Sequence, residues 1–207
     1  MPSPASPWER WNTVVFTHIH ATSGSPPALI ALAAALAEWP LWVALALTVW
    51  QLWRQRDGLA SVRLIVAFGI ALAIEAVIGT FAFHPRPFAA GFGPAWVAHA
   101  ANNSMPSTHV TLTLIMAIAL ALRKHGMSAV VFVLGGVLAW ARIYVGIHWP
   151  ADMLGAAVSA GMSVGLAHVI ERALSMLFRC SRGAYRRRPR ASPEAGRCPS
   201  IPPHREK

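Results

Sequence analysis

The sequence predicts an all-α, polytopic membrane helix bundle with about five transmembrane helices, on three observations. Of 207 residues, 55% are hydrophobic and 13% charged, where an ordinary soluble domain carries about 25% charge. The apolar excess, which gives a mean hydropathy of +0.46, falls into runs of membrane-spanning length separated by short polar or basic stretches. Basic residues gather on alternate connections between those runs. A soluble globular domain is excluded, and disorder is confined to the two ends, where Pro, Ser and Arg accumulate.

Residues 1–27 hold no cleavable signal pattern, because a basic cluster is missing and His18, His20 and Ser23 interrupt the apolar stretch. Trp8, Trp11, Val14, Val15, Phe16 and Ile19 predict a short interfacial helix there. The first span is Ala28 to Trp53, with Glu38, Trp39 and Pro40 predicting a kink or a split. The second is Ala60 to Phe83, the third Ser107 to Leu122, the fourth Met127 to Gly146 and the fifth Ala151 to Ile170. The third barely crosses a hydrocarbon core of roughly 30 Å, which seats its start near headgroup level. Ala157, Gly161 and Gly165 recur at every fourth position of the fifth span and predict close helix packing. The expected organisation is an N-terminal segment at 1–27, a membrane-embedded domain at 28–172 and a basic, disordered tail at 173–207.

Charge sets the expected orientation. Arg54, Arg56, Arg63, Arg123, Lys124 and ten Lys or Arg from Arg172 onward account for 15 of the 18 basic residues. Arg10, Arg86 and Arg142 remain for the other side. The positive-inside rule places the tail in the cytoplasm and the loops at 84–106 and 147–150 on the periplasmic or exterior side. The net charge of +10 therefore reports topology, and no nucleic-acid partner is expected; the Arg186, Arg187, Arg188, Arg190 cluster reads as part of the solvated tail. Cys180 and Cys198 both fall in that tail, so no disulfide is expected.

The two exterior loops gather the polar residues that a phosphoryl-transfer site needs: His84, Arg86, Ser107, Thr108, His109, Arg142, His148 and Asp152. Pro106 suits the first turn of a helix, which directs the Ser107 and Thr108 amides outward with the positive end of the dipole behind them. His109, one turn in, is placed to hand a proton to a bound phosphate oxygen. Pro150 opens the fifth span in the same way. His148 and Asp152 can then meet, the carboxylate fixing the imidazole tautomer and leaving the other nitrogen free as a nucleophile. Arg86, between two prolines, and Arg142 can each fork onto phosphate oxygens. Glu75 lies inside the second span, about 16 Å along a helix from Arg86, so direct contact with phosphate is not expected.

Arg86-Pro87, then Pro106-Ser107-Thr108-His109, then Ala141-Arg142, five residues, His148, three residues and Asp152 resemble the signature of the type 2 phosphatidic acid phosphatases. That superfamily also includes bacterial undecaprenyl-diphosphatases and shares a site with vanadium haloperoxidases. Gly79 stands where the signature has lysine, Thr108 where it has glycine and Ala141 where it has serine. The HPRPF and ARIYVGIHWPADMLG strings look most like the undecaprenyl-diphosphatase branch associated with bacitracin resistance.

The resemblance implies an exterior-facing phosphatase site in the 28–172 domain, with His148 as nucleophile, Asp152 orienting it, and His109 protonating the leaving oxygen. Arg86, Ser107, Thr108 and Arg142 would bind the phosphoryl oxygens. It implies a phosphohistidine intermediate, no cofactor and no metal, arginines and amides supplying the positive charge. The expected substrate is a polyprenyl diphosphate in the bilayer, hydrolysed to recycle the carrier lipid of cell-wall peptidoglycan synthesis. The alternatives are hydrolysis of phosphatidic acid or phosphatidylglycerol phosphate, or transfer of the phosphoryl group to another lipid. Five spans oppose a haloperoxidase, and chelator insensitivity would oppose a metal carrier. His84 and His99 are read as polar residues at headgroup level.

Overall fold

A computed structural model of the chain describes residues 6–186, with side chains through Met176. Helices are its only regular elements among the described residues: α1 (Pro7–Ile19), α2 (Pro27–Leu36), α3 (Trp39–Gln55), α4 (Gly58–Phe81), α5 (Thr108–Ala121), α6 (Met127–Tyr144) and α7 (Pro150–Arg186). Four stretches are long and apolar enough to cross a membrane, namely Pro27–Gln55, Gly58–Phe81, Met127–Tyr144 and Pro150–Met176, and α5 is a shorter apolar helix. The protein is a multi-pass, all-helical membrane protein.

The first predicted span splits. Ala37 and Glu38 separate α2 from α3, and Pro40 takes the second helical position of α3, where its missing N–H costs nothing. Asp57 caps α4 by accepting from the Ala60 N–H. The helix α5 holds the centre of the bundle: Val110, Ile115, Met116, Ala117 and Leu120 are all buried in one cluster with residues of α3, α4, α6 and α7.

Two expectations are corrected in α7. Gly161 and Gly165 have nothing near the place a Cβ would occupy, and Ala157 is exposed. The small residues that do pack are Ala156, Ser159, Ala160, Ser163 and Ala167, the face that continues from Asp152 at helical spacing. The helix also runs to Arg186, because Ala173, Leu174, Met176 and the arginines favour helix, so the first part of the 173–207 segment is helical and not irregular. Arg187, Arg188, Arg190 and Cys198 lie outside the described residues, as does the Cys180 side chain.

The two ends of the unit Met1–Glu171 differ in character. At one end Arg63 pairs with Glu171, Arg123 with Asp57, and Gln55 approaches His125. At the other, α1 and the long 82–107 connection close over the starts of α5 and α7. The Ser6–Glu9 capping box starts α1, the short helix the sequence predicts, but α1 does more than offer an apolar face to a membrane surface. Phe16 is 1% exposed and packs on Trp149, with ring centroids 5.0 Å apart. Asn12 is buried and accepts the Ala151 N–H at 2.9 Å, capping α7 from another helix.

Candidate active site

His148 is fully buried on the short turn between α6 and α7. Gly146, at φ 83, makes that turn; a Cβ there would lie 2.7 Å from the Pro94 carbonyl oxygen, so only glycine fits. The His148 Nδ1 is 3.0 Å from Asp152 Oδ2. A buried carboxylate accepts, so Nδ1 carries the hydrogen and Nε2 the lone pair. Asp152 Oδ2 also accepts the Trp149 N–H at 2.8 Å and the Ser104 hydroxyl, which fixes the carboxylate from both sides.

Two guanidinium groups flank the free nitrogen. Arg86 Nη1 is 3.1 Å and Arg142 Nη2 3.3 Å from His148 Nε2. Burial drives the His148 imidazole down to about 3 from its ordinary 6.5; the hydrogen bond to Asp152 opposes this and the charge of Arg142 adds to it. A neutral imidazole with its lone pair directed at two cations results. Each arginine is pinned elsewhere by backbone or amide oxygens. Arg86 donates to the carbonyls of Ile147 at 2.8 Å and Asn103 at 3.2 Å and to the Asn102 side chain at 2.9 Å. Arg142 donates to the Ala37 carbonyl at 2.8 Å. Its Nε and the Ser107 hydroxyl are buried with no protein partner, leaving two donors for an anionic ligand.

At the start of α5 the expected geometry is shifted. Pro106 precedes the helix, Ser107 is its N-cap and Thr108 its first residue. The amides without a partner inside the helix are thus those of Thr108, His109 and Val110, while the Ser107 N–H points to the Asp152 carbonyl at 3.5 Å. The Thr108 hydroxyl donates to Glu75 Oε1 at 2.6 Å, which leaves its amide as the group that can meet a phosphate. Glu75 therefore does reach the site, sideways from α4, which an axial distance from Arg86 did not consider.

His109 Nε2 faces Glu38 Oε2 at 3.4 Å across a cavity of about 220 Å³ lined by Ala34, Glu38, His99, His109, Arg142 and Ile147 among others. His84 and His99 are also brought in. His84 Nδ1 lies 3.6 Å from Asp152 Oδ1, and His99 Nε2 is 3.4 Å from Arg142 Nη2. The HPRPF string hinted at His84, two residues from Arg86; nothing in the sequence distinguished His99, Asn102, Asn103 or Ser104. At Gly79, the position of the missing lysine, a Cβ would meet the Asn103 amide at 3.6 Å. Among the described residues no group of three or more His, Cys, Asp or Glu side chains is arranged to hold a metal ion.

Residues 60–175 match the model of the PAP2 superfamily. The chain is 33% identical over 171 residues to the Escherichia coli (strain K12) protein named "Putative undecaprenyl-diphosphatase YbjG", covering 80% of this chain and 85% of that protein. It is 32% identical over 152 residues to undecaprenyl-diphosphatase BcrC of Bacillus subtilis (strain 168), covering 72% and 78%. Its fold resembles the crystal structure of Aquifex aeolicus LpxE, with a TM-score of 0.61, 22% identity, and 76% and 94% of the two chains covered. It also resembles the transmembrane PAP2 type phosphatidylglycerolphosphate phosphatase from Bacillus subtilis, with a TM-score of 0.61, 16% identity, and 82% and 88% covered. A family pattern that runs through more than half of this membrane-spanning chain, with relatives matched over most of their length, establishes that the chain is a membrane phosphatase belonging to the PAP2 superfamily.

Proposed function

We propose that the protein hydrolyses undecaprenyl diphosphate to undecaprenyl phosphate and inorganic phosphate through a phosphohistidine on His148, without a metal ion. The observation that carries the chemistry is the His148 Nε2 lone pair held between Arg86 and Arg142 while Nδ1–H is tied to Asp152. In the first half-reaction Nε2 attacks the terminal phosphorus. The Nε2–P bond forms, the bridging P–O bond breaks, and the departing lipid phosphate oxygen takes a proton from His109. In the second half-reaction water attacks phosphorus, the P–N bond breaks, and His109 receives the water proton. Arg86, Arg142, the Ser107 hydroxyl and the amides that open α5, Thr108 included, hold the phosphoryl oxygens as charge moves onto them.

The substrate assignment rests on the two relatives named as undecaprenyl-diphosphatases and on the position of the site. The short helix α5 sets His109 at headgroup depth, so the diphosphate reacts at the surface while the prenyl tail stays in the bilayer. The 15 to 3 division of basic residues supports a site facing the exterior of the inner membrane and a cytoplasmic C-terminus. The cellular role is carrier-lipid recycling for cell-wall synthesis, and raised levels of the protein protect cells from bacitracin, which sequesters the diphosphate.

The test is phosphate release by purified protein from undecaprenyl diphosphate, phosphatidic acid and phosphatidylglycerol phosphate in one detergent, with and without chelator. A higher kcat/KM for either glycerophospholipid would overturn the substrate, loss of activity in chelator the metal independence, and recovery of the phosphate on an acceptor lipid the hydrolase assignment. Labelled phosphate should be trapped on the wild type and absent from His148→Ala; undiminished label in the variant would refute the nucleophile.

A further inference from the structure

The break between α2 and α3 carries a carboxylate that the mechanism above does not use. Glu38 sits where Pro27–Gln55 loses helical continuity, and two independent contacts tie this corner to the site. The carbonyl of Ala37, its neighbour, accepts Arg142 Nη1 at 2.8 Å. Trp42 Nε1–H donates to Glu38 Oε1 at 3.3 Å, which leaves Oε2 turned to His109 Nε2 at 3.4 Å. The charged and titratable groups facing His109 are Arg142 from α6, His99 from the 82–107 connection and Glu38. Glu38 is the carboxylate among them, and its Oε2 is the oxygen that faces the His109 ring nitrogen.

We propose that Glu38 is a positioning residue for His109: it orients the imidazole across the cavity, so that Nε2–H is aimed where the leaving oxygen arrives. The inference rests on the reading of His109 as general acid. In the first half-reaction the Nε2–H bond breaks and the proton goes to the leaving oxygen. In the second, Nε2 regains a proton from water and returns to Glu38. No net proton passes to Glu38, whose side chain is 54% exposed against 28% for His109. The 3.4 Å separation is that of a loose pair, so a leaving oxygen entering the cavity can compete for the same hydrogen.

Glu38→Gln keeps the acceptor for Trp42 and removes the charge. It is compared with Glu38→Asp and His109→Ala in detergent-purified protein on phosphatidic acid, whose leaving group is an alcohol, and p-nitrophenyl phosphate, whose leaving group needs no proton. Glu38→Gln should lower kcat on phosphatidic acid about tenfold or more with little change in KM, move the alkaline limb of the pH profile to lower pH, and cost less than about threefold on p-nitrophenyl phosphate. Glu38→Asp should restore part of the rate. Equal losses on both substrates, or a change in KM alone, would reduce Glu38 to a latch between helices and overturn the proposal. If His109→Ala shows the expected leaving-group dependence and Glu38→Gln does not, Glu38 alone is misassigned. If His109→Ala lacks it too, the acid assignment falls and the role of Glu38 falls with it.

Discussion

Asp152→Asn isolates the contribution of charge behind the nucleophile. The carboxylate is 0% exposed, and its Oδ2 takes hydrogens from His148 Nδ1 at 3.0 Å, from the Trp149 N–H at 2.8 Å and from the Ser104 hydroxyl. An asparagine can put its amide oxygen at that position and turn its NH₂ toward His84 Nδ1, which lies 3.6 Å from Oδ1, so the fold keeps its local hydrogen bonds. What disappears is the negative charge facing a ring that becomes positive as the Nε2–P bond forms. Two unit charges about 4 Å apart at an effective dielectric constant near 20 interact by about 4 kcal/mol, which is roughly 10³ in rate. We therefore expect kcat to fall by about 10² to 10⁴ with KM little changed, since Asp152 does not face the phosphate. The assay is initial-rate phosphate release over a range of substrate concentrations, with thermal unfolding in the same detergent as a control for folding. A folded Asp152→Asn protein within about threefold of the wild-type kcat would refute the idea that this charge stabilises the attacking imidazole.

Further outcomes follow from other contacts. Arg142→Lys loses the planar fork that reaches both Ala37 and His148, and kinetics should show kcat/KM for the diphosphate reduced by about ten- to a hundredfold. The His148 imidazole is held near 3 by burial, below its ordinary 6.5; the unfolded chain then binds a proton that the folded one refuses. Stability is lost as pH falls from about 6.5 towards 3 and is unaffected by this group above that window, so thermal unfolding of His148→Gln should show a flatter acid dependence than wild type. Asn12→Ala removes the side-chain cap on the Ala151 N–H and should cost about 1 kcal/mol of stability. If its melting temperature is unchanged, α1 does not brace α7.

Much of the architecture was legible because hydropathy and helix punctuation act locally. The apolar runs, the break at Glu38 and the short third span can be read from residue order alone. The motif residues were legible for a different reason: Arg86, Ser107, His109, Arg142, His148 and Asp152 stand at spacings that need no three-dimensional knowledge. What failed depended on rotation about an axis or on contacts distant in sequence. Ala157, Gly161 and Gly165 have the spacing of a packing stripe, but Asp152 must face His148, and that requirement turns α7 so that Ala156, Ala160, Ser163 and Ala167 point inward. In the same way the partner of Glu75 is not readable from its axial distance to Arg86, because Thr108 is 33 residues away on another helix. Asn12, Asn102, Asn103 and Ser104 carry no spacing signal, since each acts through a single contact made possible by how the loops close.

The arginines explain how a buried site can favour a phosphate over water. Each is fixed by carbonyl groups, Arg86 by Ile147 and Asn103 and Arg142 by Ala37, so neither must reorganise when the ligand enters. Asp152 lies on the Nδ1 side of the neutral His148 ring, so the two guanidiniums are the charged groups that face Nε2. In the proposed mechanism the N–H groups now directed at Nε2 turn to phosphoryl oxygens over a short distance. Asn103, beside Gly79, serves the site differently: its side chain accepts the His84 N–H at 2.8 Å and its carbonyl holds Arg86. In this chain the region near Gly79 supports an existing cation and does not add another.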